Sequence, residues 1–163
     1  MRIQLKKNTK KPCVLTCIRD DGSTTWSKLH QGMEPHDLAH YAVEKVLNFD
    51  KAFYGMLNEG YDIGDFELPR DQRPEPLMPA NLHTSAVQTE HIVNLLTIEF
   101  FNTGEDPDFL NSLRTILDEN DLPYPQELDE ARLKEIRDTF LQLMYQWGQV
   151  QEGENLELEM TFQ

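Results

Sequence analysis

Both ends of this chain alternate between apolar and polar residues, and they do so with opposite charge. From Arg2 to Lys6, Ile3 and Leu5 fall to one side while Arg2, Gln4 and Lys6 fall to the other. From Leu156 to Phe162, Leu156, Leu158, Met160 and Phe162 alternate with Glu157, Glu159 and Thr161. A period of two marks a half-buried strand. One strand therefore has a basic outer face and the other an acidic one. Opposed charges on neighbouring strands contribute about 0.2–1 kcal/mol each. The two ends are expected to pair in one sheet, which closes residues 1–163 into a single domain.

Two further β-rich runs, Cys13 to Arg19 and Ser23 to Leu29, are joined through Asp20-Asp21-Gly22. Asp-Gly supplies the positive φ angles that tight hairpins need. With the first strand they make a three-stranded meander, and the C-terminal strand makes a fourth. The rest reads as helical. Pro35 suits a first helical position and Asp37 suits the positive end of the dipole. A short helix spans Asp50 to Glu59 and stops at Gly60, and the proline-rich stretch Leu68 to Pro79 reads as loop. A helix starting at Asn81 or Thr84 and running to about Phe101 is apolar on most sides, which predicts a central position. Asp106-Pro107 opens another helix to about Asn120, and a long one runs from Glu127 to Gln149. In the long helix Leu133, Ile136, Phe140, Leu143, Trp147 and Val150 recur at spacings of three and four. That is bundle spacing, and packing within the domain is expected rather than a dimer seam. The fold class that follows is α+β: a small antiparallel sheet of about four strands packed with four or five helices.

An apolar fraction of 39% with 27% charged residues excludes general disorder. The net charge of −14 is uneven: residues 1–30 hold seven Lys or Arg against two acids, and the remainder holds eight against 27. An acidic body argues against nucleic acid as a partner, because phosphate binding needs a positive footprint. It leaves open a basic protein partner on the acidic helical surface. No apolar stretch reaches membrane-spanning length, so no membrane role is expected. Cys13 and Cys17 lie four residues apart on a strand, about 13 Å, too far to bridge. Reduced thiols and an N-terminus without a secretory pattern point to the cytoplasm.

The chemistry-bearing segment is Pro35-His36-Asp37-Leu38-Ala39-His40-Tyr41-Ala42-Val43-Glu44. On a helix, His36, His40 and Glu44 share one flank, because residues four apart stack on the same face. Leu38, Ala39, Ala42, Val43, Val46 and Leu47 fill the apolar arc beside them, and Asp37, Tyr41 and Lys45 point further toward water. His36 and His40 are about 6 Å apart along the axis, a spacing that lets two imidazoles reach one ion. His36, His40, Glu44 and His91 are the candidate ligands of a divalent metal such as zinc. His91 and Glu99 attract notice because they sit on the apolar helix, where a polar group needs a partner; His30 and His83 are further candidates. His-Asp-x-x-His differs from the zinc-hydrolase pattern His-Glu-x-x-His by one methylene, which makes Asp37 a candidate general base if a metal-held water reacts. Tyr41, Phe53 and Tyr54 are candidate ligand contacts, with Met56 and Tyr61 close by in sequence, as the apolar wall of a pocket whose rim is the histidine stripe. The competing reading is a hydrogen-bonded border between core and solvent.

Pro35-His36-Asp37-Leu38, His40 and Val43-Glu44, followed by Phe53, Gly55, Leu57 and Gly60, resemble a group of small uncharacterised bacterial proteins. Those proteins carry Pro-His-Asp-Leu-x-His-x-x-Val-Glu and then an aromatic-Gly-x-Leu stretch. The resemblance spans residues 33–60 and implies that this segment is a recognisable unit; it carries no activity with it. Three functions are compatible with the sequence: binding of a divalent metal or small ligand at the stripe, a non-enzymatic interaction module, and a metal-dependent hydrolase.

Overall fold

The computed structural model describes residues 1–102 and 104–162. Strands β1 (Arg2–Lys6), β2 (Val14–Ile18) and β3 (Thr24–Lys28) come first. Helices α1 (Glu34–Leu47), α2 (Phe53–Glu59), α3 (Ile63–Glu67), α4 (Thr84–Phe101), α5 (Phe109–Glu119) and α6 (Glu130–Gln149) follow, and strand β4 (Asn155–Glu159) closes the chain. The sheet is antiparallel in the order β3-β2-β1-β4, so β4 lies beside β1 as the charge pattern requires. Arg2 stands opposite Glu159, and Gln4 stands opposite Glu157 and donates to it at 3.1 Å.

Alternation sends Ile3, Leu5, Leu15, Cys17 and Leu156 inward, where they join the helices in one core cluster. The outer face, with Arg2, Lys6, Trp26 and Glu157, is left to solvent. The β2–β3 hairpin turns through three residues: Arg19 N–H donates to Ser23 O at 2.9 Å, and Gly22 takes φ 85°. A left-handed third position is what a three-residue hairpin loop demands. Cys13 and Cys17 are buried free thiols; burial pushes Cys17 up to about 12.

The central helix is α1, not α4. Helix α1 packs on α4, α6 and α2, and from Asp37 to Glu44 every residue is buried. Tyr41, read from the helical wheel as water-facing, is instead buried and donates to Glu159 O at 2.7 Å, pinning α1 to the edge strand. A wheel shows which side is more apolar; it does not show how many neighbours surround the helix. Conversely, α4 leaves Ile98 and Phe101 exposed near its C-terminus. In α6, Leu133, Ile136, Phe140, Leu143 and Trp147 face the core, so its apolar stripe is spent inside the domain.

Among the described residues there are six helices. The additional one, α3, starts at a reciprocal cap: the Asp62 side chain accepts from the backbone N–H of Asp65, and the Asp65 carboxylate accepts from Asp62 N–H at 2.8 Å. The proline-rich stretch that follows holds two 3-10 turns, Arg70–Gln72 and Glu75–Leu77, which bury Leu77. Helix α6 begins three residues later than Glu127, because Asp129 is the cap and accepts from Arg132 N–H at 2.8 Å. Among the described residues no helix is long and apolar enough to cross a membrane.

Candidate metal centre

Helix α1 carries His36 in its first turn and His40 one turn later. The two rings lie 4.7 Å apart, centroid to centroid. Helix α4 packs against this flank and presents Glu90. Its carboxylate lies 3.4 Å from His40 Nε2 and 3.9 Å from His36 Nε2. One ligand atom from each of His36, His40 and Glu90 falls within 4.8 Å of the others. Tetrahedral ligands about 2.0–2.1 Å from a zinc ion sit about 3.4 Å from one another. The His40–Glu90 gap already has that span, and the His36–Glu90 gap is about half an ångström wider.

Glu44 has a different place. His40 Nδ1 and Glu44 Oε1 are 3.1 Å apart, so the glutamate lies behind the ring rather than beside the ligand atoms. Its other oxygen, Oε2, accepts from the backbone N–H of Tyr54 at 2.8 Å and of Gly55 at 3.4 Å. The start of α2 is thus wired to α1 through a buried carboxylate. Gly55 is required there: an added Cβ would come within 2.1 Å of Asp50 O. A carboxylate that accepts a hydrogen bond from Nδ1–H fixes the tautomer and leaves Nε2 as the ligand-forming atom, the usual support for a metal-bound histidine.

The electrostatics follow from burial. Desolvation pulls the His40 imidazole down, but Glu44 and Glu90 more than offset it and hold the group up to about 10. Burial raises the Glu44 carboxyl in spite of His40 and the two backbone donors. The pair therefore keeps a proton, and it belongs on the ring, because both Glu44 oxygens are already used as acceptors. Desolvation works upward on Glu90 as well, yet the His40 hydrogen bond and charge hold that carboxyl below its ordinary value.

The remaining sequence candidates are dispersed. His91 is outside the cluster; one step along α4 from Glu90 turns a side chain by about 100°, which carries it off the facing flank. Helix α4 does face the stripe, but it meets the two histidines through Glu90 rather than His91. Glu99 is paired with Arg137 on α6 at 2.9 and 2.6 Å. His83 caps α4, accepting from Ser85 N–H at 3.3 Å, and His30 lines the cavity described next. Asp37 is buried beside His36, with His36 Nδ1 and Asp37 Oδ1 3.8 Å apart, and its Oδ2 meets no donor among the described residues. Tyr54 is buried, with its hydroxyl on Asp37 O at 3.2 Å. Glu90 carried no local sequence signal, being one acid among 29; only the packing of α4 on α1 selects it.

The cluster lines a cavity of about 400 Å³. Phe53, Met56, Ile63, Phe66 and Leu77 supply apolar walls. The Phe53 ring lies 5.7 Å from His40 and 5.1 Å from Phe66. Asp37 is on the wall, and Lys28 and Arg73 also line the cavity. Tyr41 and Tyr54 are not among its lining; they hold α1 from the sheet side and from α2. No family model, curated protein or solved structure matches this chain.

Proposed function

We propose that this protein binds a divalent transition metal through His36 Nε2, His40 Nε2 and the Glu90 carboxylate. The observation that carries the reading is the convergence of those three groups from two helices to within 4.8 Å. Two imidazoles and one carboxylate suit zinc or iron(II) and leave coordination positions free. Glu44 supports the reading from behind: it holds the buried His40 ring by Nδ1 and leaves Nε2 directed at Glu90. The test is calorimetric titration of tagless, chelator-treated protein with zinc and, anaerobically, iron(II). One-to-one binding is expected, with His36→Ala and Glu90→Gln each weakening it by about tenfold or more. Absence of saturable binding by either ion sinks the reading.

A second reading, metal-dependent hydrolysis, is favoured by one observation: Asp37 follows the first histidine, lines the cavity and has an Oδ2 that meets no donor among the described residues. In that reading Asp37 would serve as general base, and a metal held by His36, His40 and Glu90 would supply an activated water. Zinc-loaded protein that turns over neither esters nor short peptides above a His40→Ala control removes it.

A further inference from the structure

We propose that the cavity takes a small, mostly apolar organic molecule whose single polar head occupies a free position on the metal. This rests on the metal reading and adds the class of ligand to it. His36, His40 and Glu90 line the cavity together with Phe53, Met56, Ile63, Phe66 and Leu77, and the other charged groups on its lining are Lys28, Asp37, Glu67 and Arg73. Its volume of about 400 Å³ lies in the range of about 300–1,000 Å³ used for small-molecule ligands. Apolar walls beside a metal-binding cluster set orientation as well as affinity: the head goes to His36, His40 and Glu90, and the tail lies against the aromatic rings. Three protein ligands leave a tetrahedral ion one further position, which is where a head group binds.

The walls come from separate elements. Phe53 and Met56 belong to α2, Ile63 and Phe66 to α3, and Leu77 to the second 3-10 turn. The three metal-site residues line the same cavity as these walls, so cluster and cavity are parts of one site.

The probes are zinc and a series of straight-chain alkyl hydroxamates from two to eight carbons, titrated against full-length zinc-loaded protein. Affinity is expected to rise by about fourfold per methylene as the tail enters the cavity, then to level off once it emerges. The same series against chelator-treated protein is expected to bind at least tenfold more weakly at every length. A flat series on zinc-loaded protein overturns the apolar ligand while leaving the metal reading intact. Equal binding with and without zinc overturns the metal-anchored head. Failure of both zinc and iron(II) to bind in the absence of hydroxamate overturns the metal reading itself, and the proposal falls with it.

Discussion

At the scale of single residues, the centre depends on where one proton and one carboxylate sit. Glu44→Gln leaves a carbonyl to accept from Tyr54 N–H but turns an amide N–H toward His40 Nδ1 or removes the backbone acceptor. Zinc affinity is expected to drop by about 10–100-fold, the size of effect usual for the partner behind a metal-bound histidine. Calorimetry on the variant checks it. The pH dependence has a definite sign. His40 is held up to about 10 in the metal-free fold, against about 6.5 when unfolded. The folded state therefore keeps a proton that the unfolded state releases between those values. Its contribution to stability is complete below about pH 6.5 and fades as pH rises toward 10. Urea midpoints of the metal-free protein at pH 6 and pH 9 measure this, with the lower midpoint expected at pH 9. A metal must displace that proton from Nε2, so zinc binding is expected to release about one proton and to tighten with rising pH. Titration in buffers of different ionisation enthalpy counts the protons. Of these residues, the i, i+4 pairing of His36 with His40 and of His40 with Glu44 was legible in the sequence. Which of Glu44, Glu90 and His91 faces the ring nitrogens was not, because that depends on the azimuth of two helices.

Between elements, two links position the site. The first is the Glu44 bridge from α1 to the start of α2, made possible by the close approach at Gly55. Gly55→Ala drives a methyl into Asp50 O and is expected to destabilise the fold by about 1–3 kcal/mol and to loosen zinc binding with it. Denaturant titration and calorimetry on the same preparation test both effects. The second link is Arg137 on α6. It forks onto Glu99 of α4 and donates to Asp106 O at 2.9 Å. Only 12% of the Arg137 side chain and 8% of the Glu99 side chain is exposed. Arg137→Ala strands a buried carboxylate and is expected to cost about 3 kcal/mol, whereas Arg137→Met with Glu99→Leu recovers most of that loss. A double-mutant cycle by urea unfolding separates the two outcomes. The sequence marked Glu99 as a polar group in need of a partner. It did not name Arg137, 38 residues away, because a contact of that range appears only when α4 and α6 are packed.

For the molecule as a whole, closure of the sheet by its last strand is the organising contact. Strand β4 buries Leu156, and Tyr41 of the central helix donates to Glu159 O. Deleting residues 151–163 is expected to abolish the cooperative thermal transition followed by circular dichroism, rather than merely lower its midpoint, because the core and the anchor of α1 are opened together. A truncated chain that still melts sharply contradicts this role. The sequence by itself determined the α+β class, the pairing of the two ends, the β2–β3 hairpin and the helical face that carries both histidines. Each of these follows from period, charge and turn chemistry within a few residues, or from two strands whose patterns match. Only the tertiary structure decided that α1 rather than α4 is central, that Glu90 rather than His91 meets the histidines, and that Phe53 and Leu77 wall one cavity. Local pattern specifies a face, but the neighbour of that face is set by packing every element against all the others at once.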